Sequence, residues 1–180
     1  MIAIDLDGTL LDYSPEGARP IANWRVIRDL LRRGCHQVAI VTNQGGLPWF
    51  VAGATRQDGR PYPSPAQFLN RLAVVNGVLR GYGITVVAVR VSVYHPRAEA
   101  AAIQRAAAEV REGMARSILI DDWRVYTTAR ARKPQPLMLR SVGATEYWGD
   151  SDEDDRVRQY GNAVTPPVAE LLVHRMIQAL

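Results

Sequence analysis

The sequence predicts an α/β fold with a mainly parallel sheet, in one domain that spans residues 1–180. Short apolar segments with strand character alternate with segments of helical periodicity, which is the pattern of a parallel sheet covered by helices. The first strand, helix and strand follow one another closely, as in a right-handed βαβ unit. A chain of 180 residues is long enough to bury its own core without disulfides.

The first half of the chain predicts two strands and two helices, with a long loop between the second strand and the second helix. Residues 1–6 form an apolar run interrupted by Asp5, and this suits a buried strand that ends in a functional loop. Ser64 followed by Pro65 is a helix start signal. The predicted elements are a strand over 1–6, a helix over 21–33 closed by Gly34, a strand over 37–42, a surface loop over 45–63, and a helix from 65 to about Gly81.

The second half continues the alternation of strands and helices. A valine-rich strand covers 84–93, and an alanine-rich helix covers 97–114. Thr165 with Pro166 in the first turn indicates a last helix, whose apolar residues share one face. The remaining predictions are a short strand over 117–120, a short helix over 134–142, and a fourth strand over 145–148 that leads into Gly149-Asp150.

Composition excludes several classes of protein. Cys35 is the only cysteine, so an internal disulfide and a multi-cysteine zinc site are both excluded. No run of about eighteen apolar residues is present and no basic leader precedes the first strand, so we expect a cytoplasmic protein without a membrane partner. The net charge of +4 favours phosphate-bearing partners mildly, but it is far from the dense basic stripe of a dedicated nucleic-acid binder.

The most informative motif is Asp5-Leu6-Asp7-Gly8-Thr9, which comes directly after the first apolar strand. Two carboxylates separated by one residue can converge on one site, where their repulsion favours a bound cation or a shared proton. One carboxylate can attack phosphorus while the other protonates the leaving group. The alternative is a surface turn of the Asp-Gly type, which is common in proteins.

Residues 4–10, Ile-Asp-Leu-Asp-Gly-Thr-Leu, resemble motif one of the haloacid dehalogenase superfamily in its phosphatase form. The resemblance implies a three-layer α/β/α Rossmann-like fold with a minimal cap domain or none. It also implies that Asp5 is the nucleophile and that Asp7 is the general acid and base. The main-chain carbonyl of Asp7 would help to hold Mg²⁺, the cofactor of this family.

Two further motifs of the family have counterparts in the expected order. Thr42 ends the second predicted strand, where the family has a threonine or serine whose hydroxyl holds a phosphate oxygen, and Asn43 follows as a second candidate for substrate binding. Lys133, in Lys133-Pro134-Gln135-Pro136, resembles the family lysine that neutralises charge on the phosphate and on the nucleophile. Lys133 is the only lysine among 22 basic residues, which argues against an ordinary surface lysine at this position.

The fourth motif is an acidic cluster after the last predicted strand. Gly149-Asp150 and the aspartates that follow resemble the Gly-Asp-x-x-x-Asp form of the family. The resemblance implies that Asp150 binds Mg²⁺ together with Asp5 and Asp7. Asp154 (or, as second choice, Asp155) would support the ion from outside its direct ligands or through a bridging water. An exposed acidic loop is the alternative reading. A second-ranked candidate for this motif is Asp121-Asp122, although that pair precedes Lys133.

The segment Thr42-Asn43-Gln44-Gly45-Gly46 is similar to the family branch that contains histidinol-phosphate, heptose-bisphosphate and polynucleotide 3′-phosphatases. We therefore expect a phosphorylated substrate, with DNA or RNA ends or nucleotides preferred over small sugar or amino-alcohol phosphates. The alternative that is not an enzyme is a binding module with this fold but without catalytic activity.

His95 lies where part of this branch begins a zinc loop, but the cysteines of that loop are missing. Three rings in the predicted loop either stack on a base or pack the loop onto the domain: Trp49, Phe50 and Tyr62.

The family pattern does not decide the structure of two segments. Residues 97–130 form either a small cap insertion or a core helix with an edge strand. The family normally adds a fifth strand after the fourth motif, whereas here residues 159–170 resemble the last motif of DNA cytosine-5 methyltransferases. A methyltransferase needs a Pro-Cys loop, yet Cys35 follows a glycine. We therefore expect residues 159–180 to be a helical tail without methyl transfer.

Overall fold

The computed structural model describes residues 1–12, 21–117, 119–128 and 136–149. Within these ranges the chain forms seven strands and five helices. The predictions for Lys133, Asp150, Asp154, Asp155 and the tail over 159–180 lie outside the described residues. In chain order the elements are β1 (Ile2–Ile4), β2 (Leu11–Asp12), β3 (Ile21–Ala22), α1 (Trp24–Arg32), β4 (Gln37–Asn43), α2 (Leu47–Val51), α3 (Pro65–Gly81), β5 (Thr85–Ser92), α4 (Ala100–Ser117), β6 (Trp123–Tyr126), α5 (Pro136–Ser141) and β7 (Glu146–Trp148).

A five-stranded sheet in the order β6-β5-β4-β1-β7 forms the centre of the fold. Every pair of neighbouring strands in it is parallel. A separate antiparallel pair joins β2 to β3. The α/β class and the mainly parallel sheet are thus confirmed. Because β1 lies between β4 and β7, the ends of these three strands lie side by side along one edge of the sheet.

Alternate residues of β4 pack on opposite faces of the sheet, as the period of two in a strand requires. Val38 and Ile40 belong to the larger apolar cluster, which includes buried residues of α1, α3 and α4. Ala39 and Val41 belong to the second cluster, which includes Met138 and Leu139 of α5. Helices therefore cover both faces of the sheet, and the second face carries the smaller layer.

The start of α3 follows its sequence signals closely. The Ser64 hydroxyl accepts a hydrogen bond from the Gln67 main-chain N–H at 3.1 Å, and the Gln67 side chain accepts one from the Ser64 N–H at 2.8 Å. This reciprocal capping box satisfies two main-chain donors that the first helical turn leaves unpaired. Pro65 occupies the first turn, where no intrahelical N–H is needed. The inner face of α3 is buried, with Phe68 and Leu72 fully covered.

The predicted surface loop over 45–63 is wrong in part, because it contains the short helix α2. Leu47 and Pro48 are buried there, and Leu47 belongs to the larger core cluster. A helix of five residues is too short to show the apolar periodicity on which the prediction depended. Beyond α2 the loop closes into a turn, with a bridge between Thr55 and Pro61.

The short strand predicted over 117–120 is also wrong in position. Ser117 ends α4, and Ile120 is buried in the core outside any strand. The edge strand is β6, which begins three residues later and pairs with β5 from Val89↔Trp123 to Ser92↔Tyr126. The aromatic and β-branched residues of β6 suit a strand better than the segment that the prediction chose.

Helix α4 packs against α2, α3 and β6, so the helix and strand of the segment 97–130 belong to the layers of the central sheet. Its inner face is made of small and apolar residues, among them Ala106 and Val110, both fully buried. Arg105 and Glu109 are exposed on its outer face. Among the described helices, none combines the length and the apolar character needed to cross a bilayer.

Candidate active site

The site lies at the carboxyl ends of β1 and β4, which are neighbours in register from Ile2↔Val38 to Ile4↔Ile40. Asp5 is the first residue after β1, and its side chain has no exposed surface. The Asp5 Oδ1 atom accepts a hydrogen bond from the Leu6 main-chain N–H at 2.8 Å. The main-chain N–H of Asp5 donates to the Trp148 carbonyl at the end of β7, at 2.7 Å. The bond to β7 therefore fixes the main chain of Asp5, and the bond from Leu6 orients its carboxylate.

The turn after Asp5 brings the second carboxylate to the surface of the site. Gly8 has a φ of 80°, a conformation that favours glycine, and its N–H donates to the Leu11 carbonyl at 2.7 Å. Leu6 and Leu10 are buried and anchor the turn in the core. Asp7, between these anchors, lines a cavity at the sheet edge.

A single side-chain amide joins the ends of β1 and β4. The Gln44 Nε2 group donates to Asp7 Oδ2 at 2.7 Å and to Thr42 Oγ1 at 3.0 Å. Thr42 and Gln44 are both buried, at 1% and 6% exposure. Because one amide has two N–H donors, Gln44 satisfies both acceptors at once and fixes Asp7 relative to Thr42.

An arginine from α3 completes this network. Arg71 Nη1 lies 2.9 Å from Asp7 Oδ1, and both side chains are mostly buried. Arg71 Nη2 also donates to Gln44 Oε1 at 3.4 Å, a long hydrogen bond. The two oxygens of the Asp7 carboxylate therefore accept hydrogen bonds from two different side chains. Such charge-assisted bonds orient a carboxylate strongly.

The sequence interpretation missed Gln44 and Arg71 as site residues. Gln44 stands out in the sequence only as part of the segment Thr42-Asn43-Gln44-Gly45-Gly46, and none of the motifs includes Arg71. The spacing of Arg71 was an available signal, because it lies three residues after Phe68 and four before Val75, both buried on the inner face of α3. A charged residue on a buried helix face is uncommon unless it is paired.

A cavity of about 480 Å³ opens at this network. Its volume falls within the range of small-molecule sites. Among the described residues of its wall, the charged side chains are one carboxylate and two guanidinium groups. This balance is suited to an anionic ligand. The described residues that line it are Asp7, Asn43, Gln44, Gly45, Gly46, Leu47, Arg56, Tyr62, Pro63 and Arg71.

Three buried polar atoms have no hydrogen-bond partner within the described part of the chain. They are Asn43 Oδ1, Arg71 Nε and Thr9 Oγ1. Asn43 and Arg71 both line the cavity. A buried polar atom without a partner costs about 1–3 kcal/mol. The acceptor Asn43 Oδ1 and the donor Arg71 Nε therefore favour binding of a polar ligand.

The rings of the loop after β4 contact one another. Trp49 stacks on Tyr62, with ring centres 6.2 Å apart and 24° between their planes. Trp49 also meets the edge of His95 at 5.2 Å. These contacts favour the alternative in which the rings pack the loop onto the domain. Tyr62 nevertheless lines the cavity, whereas Phe50 is exposed at 38% and is not part of the wall.

His95 has structural contacts in the described region. Its Nδ1 accepts a hydrogen bond from the Arg97 main-chain N–H at 3.2 Å, and its ring packs on Trp49. No group of three or more His, Cys, Asp or Glu side chains in the described ranges is arranged to hold a metal ion. The Mg²⁺ ligands suggested by the resemblance are only half described, because Asp150 and Asp154 lie outside those ranges.

The second-ranked acidic pair, Asp121-Asp122, lies away from the cavity. Asp122 precedes the edge strand β6 and forms an ion pair of 2.8 Å with Arg90 Nη2. The hydrogen bond from Arg90, reinforced by the charges of Arg90 and Arg124, holds the pKa of the Asp122 carboxyl below its ordinary value, although partial burial opposes this. The Asp122 carboxylate is therefore engaged in a structural ion pair at the amino end of β6, whereas the cavity lies at the carboxyl ends of β1 and β4.

The structure brings Asp5, Asp7, Thr42 and Asn43 to one edge of the sheet. Comparison with protein-family models, with curated proteins and with solved structures found no match to this chain. The geometry of the described residues is therefore the basis for a functional proposal.

Proposed function

We propose that this protein is a Mg²⁺-dependent phosphomonoester hydrolase that acts through a phosphorylated Asp5. The observation that carries the proposal is the network in which Gln44 joins Asp7 to Thr42 beside the cavity, directly after the strand that ends in Asp5. The position of β1 inside the parallel sheet, between β4 and β7, supports a fold of the haloacid dehalogenase type. Ligands commonly bind at the carboxyl ends of central strands in parallel sheets.

In the first step, a carboxylate oxygen of Asp5 attacks phosphorus in line with the leaving oxygen. The new bond joins Asp5 to phosphorus, and the bond from phosphorus to the leaving oxygen breaks. The hydrogen bond from the Leu6 N–H to Asp5 Oδ1 limits rotation of the carboxylate. A nucleophile that is already oriented loses little entropy on the way to the transition state.

Asp7 serves as the acid and then as the base. It protonates the leaving oxygen in the first step, and in the second it takes a proton from the water that attacks phospho-Asp5. Gln44 and Arg71 hold the Asp7 carboxylate at the wall of the cavity. Their role is positioning, because they act on the reaction through Asp7.

Thr42, Asn43 and Lys133 would hold the phosphoryl oxygens. The Thr42 Oγ1 atom accepts from Gln44, so its own O–H is directed to another acceptor, such as a phosphate oxygen. Asn43 contributes a side chain in the cavity wall. The ammonium of Lys133 would neutralise charge on the transferred group.

The residues at the end of β1 fit a magnesium ion in their chemistry. Mg²⁺ prefers oxygen ligands, and Asp5 and the Asp7 carbonyl supply oxygens at this strand end. Asp150 and Asp154 would provide the remaining carboxylates. When bound, the ion neutralises charge on the phosphate and helps to align it for attack.

The test is phosphate release from p-nitrophenyl phosphate and from a 3′-phosphorylated oligonucleotide, each with Mg²⁺ and with EDTA. We expect activity that requires Mg²⁺ and is lost in Asp5→Asn. Asp29→Asn is the matched control, because Asp29 is on α1 and pairs with Arg28 on the protein surface. Absence of phosphate release from the folded wild-type protein on both substrates contradicts the proposal.

For the substrate, we propose a nucleic-acid end or a nucleotide over a small metabolite. Arg56 and Tyr62 in the cavity wall support this, since a guanidinium and an aromatic ring suit a phosphate and a base. Relative kcat/KM on 3′-phosphorylated oligonucleotides and on small sugar phosphates tests the preference. A clear preference for the sugar phosphates would reverse it.

One contact favours a second candidate, a binding module without catalysis. The ion pair with Arg71 engages Asp7, the residue that must exchange protons in the proposed reaction. In a binding module the cavity would hold a phosphorylated ligand without hydrolysing it. Binding of phosphorylated oligonucleotide without release of phosphate, in the presence of Mg²⁺, would support this candidate.

A further inference from the structure

Arg56 is a cation in the cavity wall without a carboxylate partner among the described residues. The other guanidinium in the wall, that of Arg71, is already paired with Asp7 at 2.9 Å. The carboxylate nearest to Arg56 in sequence is Asp58, which pairs with Arg60 at 4.0 Å and accepts the Arg60 main-chain N–H at 3.0 Å. The charge of Arg56 therefore remains available to a ligand.

A defined turn carries Arg56. Its main-chain N–H donates to the Arg60 carbonyl at 2.8 Å, and its carbonyl accepts from the Gly59 N–H at 3.0 Å. Gly59 has a φ of 77°, which a turn of this kind needs and which glycine adopts readily. The bridge between Thr55 and Pro61 closes the same turn. The backbone at Arg56 is thus held in place before any ligand binds.

The side chain of Arg56 is also positioned. Its guanidinium carbon lies 5.6 Å from the centre of the Tyr62 ring, within the range of cation–π attraction. Tyr62 is itself held by the stack with Trp49. It packs closely on Gly46, where an added Cβ would lie 3.2 Å from the ring. A side chain that is ordered in advance loses less conformational entropy when it binds an anion.

We propose that Arg56 binds a second phosphate group of the substrate, carried by the part of the molecule that leaves. This inference depends on the proposed function for the reacting phosphate, which would lie by Asp5 and Thr42. A planar guanidinium binds phosphate oxygens through two parallel hydrogen bonds. The substrate class is therefore a phosphomonoester with a neighbouring phosphate or phosphodiester, as in a 3′,5′-bisphosphate or a 3′-phosphorylated nucleic-acid strand.

The same charge disfavours one of the alternative substrates. An amino-alcohol phosphate brings a cation in its leaving part, which Arg56 would repel within the cavity. A neutral sugar monophosphate would leave the Arg56 guanidinium without an anionic partner. Arg56 thus selects substrates by the charge of the leaving part. It favours a leaving part with a phosphate over a neutral sugar or a cationic amino alcohol.

The experiment compares three ligands: adenosine 3′-monophosphate, adenosine 3′,5′-bisphosphate and a 3′-phosphorylated dinucleotide. The full chain is used as wild type, Arg56→Gln and Arg60→Gln, and dissociation constants come from calorimetry. Phosphate release is measured in parallel with Mg²⁺. Arg60 is the matched control, since it lies in the same turn and does not line the cavity.

We expect the wild-type protein to bind a ligand with a second phosphate about tenfold more tightly than the monophosphate. Arg56→Gln should bring that ratio close to one, and Arg60→Gln should leave it unchanged. The bisphosphate and the dinucleotide distinguish a free nucleotide from a strand end as the source of the second phosphate.

An unchanged ratio in Arg56→Gln overturns the inference, as does equal binding of all three ligands by the wild-type protein. If the ratio responds to Arg56 but no phosphate is released, the binding site stands and the proposed hydrolase function fails. If phosphate is released at rates that do not depend on the second phosphate or on Arg56, the function stands and the inference fails.

Discussion

The guanidinium of Arg90 is fully buried, and its Nη2 lies 2.8 Å from a carboxylate oxygen of Asp122. Each of its five N–H donors has an acceptor. Nε donates to Ser141 Oγ, Nη1 to the carbonyls of Val89 and Asp122, and Nη2 to Asp122 Oδ2 and the Ser141 carbonyl. Arg90 therefore joins β5 to the edge strand β6 and to α5 through a single side chain.

The first prediction concerns the stability that this pair provides. Asp122→Ala leaves a buried guanidinium with one acceptor fewer, which should lower the free energy of unfolding by about 1–2 kcal/mol. The lower part of that range is expected because Asp122 is 51% exposed and water screens the pair. Urea denaturation measures the change. Asp121→Ala is the control, with an expected change below about 0.5 kcal/mol because Asp121 is an exposed neighbour.

The second prediction is that the contribution of Asp122 decreases in acid. Its pKa in the folded protein lies below the ordinary value of 3.8, chiefly because of the hydrogen bond from Arg90. The unfolded chain therefore takes up the proton first as the pH falls. The stabilisation is complete above the unfolded pKa and is lost as the pH falls through the folded pKa.

Urea denaturation of wild type and Asp122→Asn at several pH values from about 7 to about 3 tests this prediction. The difference in unfolding free energy should stay constant down to about pH 5 and then shrink. A difference that grows as the pH falls would contradict the assigned direction of the pKa shift.

Local signals explain why much of the fold was predictable. The helix α3 begins at Ser64-Pro65 because side-chain caps act over three residues, and such patterns can be read from sequence alone. The helix α2 was missed because five residues show no periodicity. The edge strand β6 was misplaced because its position depends on pairing with β5, which is a contact between distant segments.

The candidate site likewise contains some residues that can be predicted from local sequence and others that depend on contacts between distant segments. Asp5 and Asp7 follow β1 and Thr42 lies near the end of β4, so their meeting at one sheet edge follows from parallel pairing. Arg71 takes part because α3 packs with its inner face near this edge, where it contacts Asp7 and Gln44, the residue that follows β4. The sequence gives no direct measure of how a helix docks on a sheet, and this contact was therefore not predicted.

The third prediction concerns the close approach of α3 and α4. A Cβ added at Gly113 would lie 2.0 Å from the Leu69 Cδ1 atom, so Leu69 or the helices must move. Gly113→Ala should therefore destabilise the protein by about 1–2 kcal/mol, since overpacking outweighs the gain of about 1 kcal/mol in helix propensity. Thermal unfolding measures the change.

Gly77→Ala is the matched control for this substitution. Gly77 lies inside α3, and an added Cβ would meet nothing within 4 Å. This variant should gain up to about 1 kcal/mol from helix propensity alone. The double variant Gly113→Ala with Leu69→Ala should lose less stability than the sum of its single changes. Stabilisation by Gly113→Ala alone would show that Leu69 rotates away at little cost.

The fourth prediction depends on the proposed reaction and concerns the contact of Arg71 with Asp7. Arg71→Ala removes the ion pair of 2.9 Å and leaves only Gln44 to orient the carboxylate. We expect kcat for phosphate release to fall about tenfold with a smaller change in KM, because proton transfer depends on the position of Asp7. Arg80→Ala is the control, since Arg80 is exposed in the last turn of the same helix.

A double-mutant cycle that combines Arg71→Ala with Asp7→Asn distinguishes two roles of Arg71, the positioning of Asp7 and direct binding of the substrate. If Arg71 acts only through Asp7, its removal should have little further effect on the residual activity of Asp7→Asn, because the two residues form one unit. If the losses in kcat/KM are instead additive, Arg71 binds the substrate independently. Its Nε, which has no partner among the described residues, and its place in the cavity wall would then be the structural basis of that contact.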